Sequence, residues 1–445
     1  MPIRINPPLA LPRSLDEIDA AFMTRVLRHA GVISPTNEVS SQVEQGVGMT
    51  AGYFSSIKKI RCSYREPTDA PRDFVAKAWP ALEIAPKESI AAMFAKDIGG
   101  YRLPAQRFYP RPQVYLAGID TASGAHVLVM EDANAFAEHK VHERELGLDD
   151  VMRMLPGLAD VAAAWEGADQ GEPAQTLGAL GAALWASQEN LAPFKAAMPG
   201  GAPLFDCMAS QPGSPFGPVA ALGARLGVHD ICRHMTTRID AFFDRARPEN
   251  GATCTLAHGD LRGDNIFFCE PSARYPHGWL CIDYQQMFRG PVPSDLAHLM
   301  NSGSVLPEVY TGENHHRVLR AFHALFMERT RRYPDYSYAQ FLDEYRMMST
   351  VQHIYYIAFG APLAQAGAFE NTLGMRVELG GKGATEADLT PEERRQRMWW
   401  AKSMANIAAS YGEFGVVERF MALPENHAGL GQWVELPEHL RGVLR

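Results

Sequence analysis

"AHGDLRGDN", residues 257–265, packs a histidine, two aspartates, an arginine and an asparagine into a stretch too short for a helix. Directly after it, "NIFF" (265–268) and "WLCID" (279–283) are apolar runs separated by the turn-rich "CEPSARYPHG" (269–278). Two such runs pair most simply as an antiparallel hairpin, which returns the end of the second strand to the start of the first. Asn265 and Asp283 then become neighbours, and Asp260 lies just before them on the same loop. One amide and one carboxylate suit a hard cation such as Mg²⁺, which takes few protein ligands and completes its shell with water and phosphates. A second carboxylate that does not bind the metal, Asp260, is free to accept the proton of an attacking hydroxyl. This is a division of labour for phosphoryl transfer. Asp264 adjoins the ligand Asn265 in sequence and is assigned to loop hydrogen bonding or solvent, so the apparent adhesion tripeptide Arg262-Gly263-Asp264 is a spacer.

Upstream, Ser14 and Glu17 have the spacing of a capping box ahead of a helix over residues 15–30, which ends at Gly31. "EVSSQVEQ" (38–45) and "YFSSIKKIRCSY" (53–64) read as strands joined by "GVGMTAG" (46–52), whose Gly46, Gly48 and Gly52 let backbone N–H groups approach phosphate oxygens. "DFVAKAWP" (73–80) is a third strand containing Lys77, a cation that is costly in an apolar strand unless its ammonium finds a partner. A helix over 87–101 and strands at 112–120 and 126–132 follow. Beyond residue 135 helical patterns dominate, at 149–165, 177–191, 228–247, 295–301, 315–332, 338–359 and 391–411, interrupted by the short strands around the opening stretch. The expected class is α+β, with a small antiparallel β-rich lobe over residues 1–135 and a larger, mostly helical lobe over 136–445.

Glycine hairpin, strand lysine, H-x-D-x-x-x-x-N and an aspartate ending the next strand but one occur here in that order. With "LAHGDLRGDNIFF", "CIDYQQMFRGPVPSDLAHLM" and "VLVMED", the sequence resembles the aminoglycoside phosphotransferase and choline kinase superfamily, a protein-kinase-like two-lobed fold, and within it the ecdysteroid-kinase-like branch. The resemblance covers residues 14–300. It implies ATP and Mg²⁺ as cofactors, Asp260 as the base, Asn265 and Asp283 as metal ligands, and Lys77 as the grip on the α- and β-phosphates. Residues 130–133 are similar to the family's hinge, so Glu131 and Ala133 are expected to meet adenine through their main chain. His258 resembles a histidine bracing the catalytic loop, and Asp295 an aspartate that caps its helix and steadies that loop. Two positions depart from the family pattern. Asp97 stands where a glutamate usually pairs with the lysine, and being one methylene shorter it is expected to give a longer or water-bridged pair. Arg262 replaces the usual tryptophan or histidine and is expected either to contact phosphate or to be solvated.

Composition narrows the class further. The chain has 445 residues, 46% hydrophobic and 21% charged, a formal charge of −9 and no long basic run, which argues against nucleic-acid binding. Six cysteines without a C-x-x-C spacing argue against zinc and against a secreted disulfide scaffold, and buried free thiols are expected. His139, His142, His315 and His316 lack accompanying ligands and read as surface histidines. The glycines sit between two strands, not between a strand and a helix, which disfavours a dinucleotide-dependent oxidoreductase. With neither a signal-peptide pattern nor a run of apolar residues long enough to span a bilayer, a soluble cytoplasmic protein is expected. The C-terminal half carries no dense acidic cluster, and its segments 347–362 and 397–411 are rich in Met and aromatics. The expected acceptor is therefore an uncharged, partly hydrophobic alcohol such as a sterol, terpenoid or other natural product. A choline- or aminoglycoside-type acceptor, a hydroxyacyl-CoA, and a nucleotide-binding pseudokinase are the alternatives.

Overall fold

The computed structural model describes residues 9–45, 56–78, 87–120, 125–139, 145–181, 217–310, 312–354 and 391–426. Two compact units emerge, one from Met1–Lys140, Thr176–Leu180 and Asp264–Met287, the other from Val141–Gln175, Gly181–Gly263 and Phe288–Arg445.

The first unit is built on an antiparallel sheet of β1 (Val39–Gln45), β2 (Ser56–Tyr64), β3 (Asp73–Ala78), β4 (Val114–Ile119) and β5 (His126–Glu131), in the order β1-β2-β3-β5-β4. Helix α1 (Ala20–His29) covers one face, burying Phe22, Met23, Val26 and Leu27 with Ile60, Cys62, Phe74, Ala76, Val127 and Val129. Because strand side chains alternate, Phe74, Ala76 and Ala78 join that cluster while Val75 and Lys77 point to the opposite face. The helix does not start at the Ser14 box. Leu15–Glu17 forms a separate 3₁₀ turn, and the Asp19 carboxylate caps α1 by accepting from Phe22 N at 2.7 Å. Asp is as strong a cap as Ser, and this start places Ile18 and Met23, both fully buried, where a hydrophobic staple needs them.

Helix α2 (Lys87–Gly100) lies between β3 and β4 in sequence. A lysine on the third strand followed by a helix before the fourth is the nucleotide-lobe arrangement of the protein-kinase-like fold, so the α+β class and kinase-like topology expected from the sequence hold. To the same unit belongs the hairpin of Ile266–Phe268 and Trp279–Cys281, paired antiparallel as expected, with Phe267 opposite Leu280.

The second unit is mostly helical: α3 (Leu148–Ala164), α4 (Gly171–Leu177, whose last residues count with the first unit), α5 (Gly217–Leu226), α6 (Val228–Asp244), α7 (Ser294–Asn301), α8 (Pro307–Tyr310), α9 (Gly312–Met327), α10 (Tyr338–Ile354), α11 (Pro391–Phe414) and α12 (Val416–Met421). Leu177 closes a helix where the sequence pattern had it opening one, a short 3₁₀ turn over Gly178–Gly181 follows, and residues 182–191 lie outside the described residues. Pairs α3–α9, α7–α10 and α5–α11 pack together. Met347, Met348, Val351, Met404 and Ile407 are buried, so the described part of the Met-rich segments is core. His315 is likewise buried, against the surface position expected for it. Its Nε2 lies 2.7 Å from the Tyr345 hydroxyl and its Nδ1 3.8 Å from the Glu413 carboxylate, partners supplied by helices remote in sequence.

Candidate active site

In the first unit, the side chains singled out by sequence converge on Lys77. Its ammonium, 7% exposed, sits 2.8 Å from Asp97 Oδ2 and 2.9 Å from Asp283 Oδ1. Burial works against the charge, but the two carboxylates outweigh it and raise the Lys77 pKa above its ordinary value. The longer or water-bridged contact expected for Asp97 is not what forms. The missing methylene is offset by a close approach of α2: Asp97 Oδ1 also accepts from Tyr284 N at 2.9 Å, and a Cβ on Gly100 would stand 2.6 Å from the Tyr284 Cβ.

The hairpin register puts Ile282 N 3.0 Å from Asn265 O, bringing Asn265 and Asp283 to the same end of the two strands. Asn265 is buried. Asp283 has a φ of 72°, a left-handed conformation that side-chain-bearing residues seldom adopt, and among the described residues it is alone in this apart from glycines. Its N–H donates to the Tyr101 hydroxyl oxygen at 3.2 Å, and its Oδ2 accepts from Gln285 Nε2 at 3.3 Å. Backbone strain of this kind is concentrated at functional sites.

At the end of β5, Glu131 N donates to Gln113 O at 2.9 Å, and Ala133 opens a 3₁₀ turn capped by Asp132. The Glu131 carboxylate is also engaged, accepting from Gln113 N, the Tyr275 hydroxyl and Arg274. That side-chain role was not foreseen from the sequence. Gly46, Gly48 and Gly52 lie outside the described residues.

The second unit holds the loop that opens the quoted stretch. Thr255–Ala257 pairs antiparallel with Phe288–Gly290, and the chain then turns through Gly259, whose φ of 80° suits glycine. Asp295 accepts from His258 N at 3.0 Å and Gly259 N at 3.1 Å. It does not cap its helix as expected, because both its oxygens serve the loop and Pro293 occupies the N-cap. His258, fully buried, receives Asp260 N on Nδ1 at 3.3 Å, and Gly263 N donates to Ser304 Oγ at 2.8 Å. Upstream, Thr253 donates from both N and Oγ1 to the buried Glu344 carboxylate at 2.7 and 2.6 Å.

Asp260 has two nitrogen neighbours on one oxygen: Arg262 Nε at 3.5 Å and His298 Nε2 at 3.3 Å. Burial pushes its carboxyl up, yet Arg262 and His298 together hold it well below the usual carboxylate range. Arg262 is thus neither fully solvated nor free. His298 was missed by sequence reading, since a histidine in an otherwise regular helix carries no local sign of its partner.

A family model described as "Uncharacterized oxidoreductase dhs-27" matches residues 234–378. No curated protein matches the sequence. Among solved structures, the GDP complex of wild-type aminoglycoside 2'-phosphotransferase-IIIa is 14% identical, with 80% of this chain and 96% of that one covered and a TM-score of 0.44. The amicoumacin kinase hAmiN in complex with AMP-PNP, Ca²⁺ and Ami is 10% identical, with coverages of 82% and 87% and a TM-score of 0.39. Choline kinase LicA from Streptococcus pneumoniae is 12% identical, with coverages of 88% and 99% and a TM-score of 0.37. Among the described residues no helix is long and apolar enough to cross a membrane.

Proposed function

We propose that the protein is an ATP- and Mg²⁺-dependent small-molecule kinase that phosphorylates a hydroxyl of an uncharged, partly hydrophobic alcohol of the sterol, terpenoid or natural-product kind, akin to the ecdysteroid-kinase-like branch. The observation that carries this reading is the buried Lys77 held between Asp97 and Asp283, a strand lysine kept charged and aimed beside a strained aspartate. Lys77 grips the α- and β-phosphates, Gly46, Gly48 and Gly52 are the glycines that would let backbone N–H groups approach phosphate oxygens, and the main chain at Glu131 and Ala133 receives adenine.

The donor set fits Mg²⁺. Among the described residues no group of three or more His, Cys, Asp or Glu forms a metal cage, and Mg²⁺ wants none, since one amide and one carboxylate leave its other positions to phosphate and water. Asn265 and Asp283 would hold the ion, which when bound neutralises charge on the β- and γ-phosphates. The acceptor oxygen forms its bond to the γ-phosphorus as the bond to the ADP oxygen breaks, and its proton passes to Asp260. A carboxylate this acidic orients the hydroxyl and takes the proton as the new bond forms, which suits a loose phosphoryl-transfer transition state. Asp295 and His258 keep the loop in place for this.

The free thiols of Cys62, Cys254, Cys269 and Cys281 accord with a reducing, cytoplasmic setting, and burial pushes those of Cys62 and Cys254 up to about 12. An oxidoreductase reading, suggested by the description of the matching family, has less support: dinucleotide folds rest on a parallel sheet, whereas the five strands here are antiparallel.

The test is an ATP-consumption screen over a library of alcohols, with Asp260→Asn as the blank. Turnover with an apolar alcohol that falls at least about a hundredfold in Asp260→Asn, with Mg·ATP affinity kept, is expected of a general base. Turnover within about tenfold of the parent removes Asp260 from that role. Nucleotide binding with no acceptor across sterols, terpenoids, choline, aminoglycosides and hydroxyacyl-CoAs favours the pseudokinase.

A further inference from the structure

The tip of the hairpin that carries Asn265 and Asp283 is closed by its own turn: Tyr275 N donates to Ser272 Oγ and Ser272 N to Tyr275 O, both at 3.1 Å. That turn asks nothing of the Tyr275 side chain. Tyr275 is nevertheless buried, and its hydroxyl and its ring are both engaged by the end of β5 and the turn after it. The hydroxyl donates to Glu131 Oε1 at 3.1 Å, and the same oxygen accepts from Arg274 at 2.9 Å and from Gln113 N at 2.7 Å. The ring stacks on Phe136, with centroids 5.7 Å apart and planes inclined by 11°, while the Arg274 guanidinium stands 5.0 Å from its centroid. Between those two contacts, Ala133 is buried in one cluster with Tyr275, Phe267 and Leu280. One side chain therefore grips both ends of residues 131–136 and shares a core with their middle.

That segment contains the main chain assigned above to adenine. Irregular backbone keeps its N–H and C=O groups aimed only where something outside it holds it, and groups fixed in advance lose less freedom on binding. Its other side is held as well: the Asp132 carboxylate accepts from Asn134 N at 3.0 Å and pairs with Lys59 of β2 at 3.7 Å. Burial, then the Glu131 carboxylate, push the Tyr275 hydroxyl above its ordinary pKa, so it remains a donor through neutrality. Resting on the kinase reading above, we propose that Tyr275 is a positioning residue for the nucleotide base, holding residues 131–133 in the geometry that receives adenine through its grip on Glu131 and Phe136. A contact that only stabilised the hairpin would account for the packing of Tyr275 on Phe267 and Leu280. It leaves unexplained why the hydroxyl and the ring of one residue fasten opposite ends of the same short segment.

Calorimetry on the full chain tests this with Mg·ATP and with inorganic tripolyphosphate plus Mg²⁺ as a competitor that has no base. Tyr275→Ala should weaken Mg·ATP binding at least about tenfold and leave tripolyphosphate within about twofold of the parent. Tyr275→Phe, which keeps the ring on Phe136 and loses only the bond to Glu131, should fall between the two. Phe136 is exposed, so if Tyr275→Ala melts at lower temperature than the parent, Phe136→Ala reads the same split between ATP and tripolyphosphate in a folded chain. The inference is overturned if the two affinities fall together, if neither moves, or if tripolyphosphate fails to compete in the parent. A parent that does not bind Mg·ATP overturns the kinase reading itself, and this inference with it.

Discussion

Lys77 shows how much one residue can reveal when its cost is considered. A lysine in an apolar strand demands a counter-charge, and that demand alone anticipates an acidic partner, which proves to be two. Lys77→Met would strand Asp97, 1% exposed, without its cation. Urea unfolding should show a loss of ~2–4 kcal/mol, toward the lower part of the range for broken buried pairs because Asp283 is partly exposed. Adding Asp97→Asn should recover part of it, and no recovery would mean the carboxylate is not the source of the loss. A lysine whose folded pKa is raised contributes stability fully below its unfolded value of ~10.4, and loses it only as pH rises through the folded one, so this contact should be flat through neutrality. His315 behaves in the opposite sense. Burial lowers its pKa despite Glu413 beside it, with His316 adding a little in the same direction as burial. The unfolded chain therefore binds the proton first, and stability falls as pH drops below ~6.5 toward the folded value. Between pH 7 and the mid-5 range, the parent's unfolding free energy should decline more steeply than that of His315→Gln. Equal slopes would place the acid sensitivity elsewhere.

At the scale of elements, strands and helices of the first unit were legible because alternation and helical spacing both persist over several residues there. What local pattern could not separate was which of two good caps, Ser14 or Asp19, starts α1. Packing decides it, since starting at Ala20 buries both Ile18 and Met23. Thermal or urea unfolding should accordingly show Asp19→Ala destabilising by about 1 kcal/mol and Ser14→Ala changing almost nothing. The reverse order would restore the upstream cap. Gly100 carries a second elemental constraint. A methyl there meets the Tyr284 Cβ at 2.6 Å, so Gly100→Ala should push α2 off the turn that follows Asp283. The expected cost is ~1–3 kcal/mol, accompanied by weaker nucleotide binding because Asp97 moves with the helix. Gly251→Ala is the control: it has a φ of 92° but open space, so it should cost about 1 kcal/mol and spare nucleotide affinity.

Over the whole molecule, the α+β class and the hairpin that joins Asn265 to Asp283 could be read from order and polarity of segments. The roles of His298 and Glu344 could not, because each lies on a helix that meets a loop residue distant in sequence, through a face that periodicity leaves equivalent to others. Nor does any local signal mark Glu131 as a side-chain anchor, since its partners Arg274 and Tyr275 lie at the tip of a hairpin about a third of the chain away. The proposed metal pair can be examined without knowing the acceptor. A ligand that binds only the native state stabilises it by RT ln(1 + [L]/Kd), about 2.7 kcal/mol at a hundred times Kd. If Asn265 and Asp283 hold the cation that bridges phosphates, ATP with Mg²⁺ should raise the melting temperature by several degrees, and ATP with EDTA should give much less. Asp283→Ala should lose the metal-dependent part and keep the remainder, because Lys77 still meets the phosphates through its own charge. A full shift with EDTA, or an unchanged metal-dependent shift in Asp283→Ala, would remove this pair from the nucleotide site and leave Lys77 and Asp97 as a structural ion pair only.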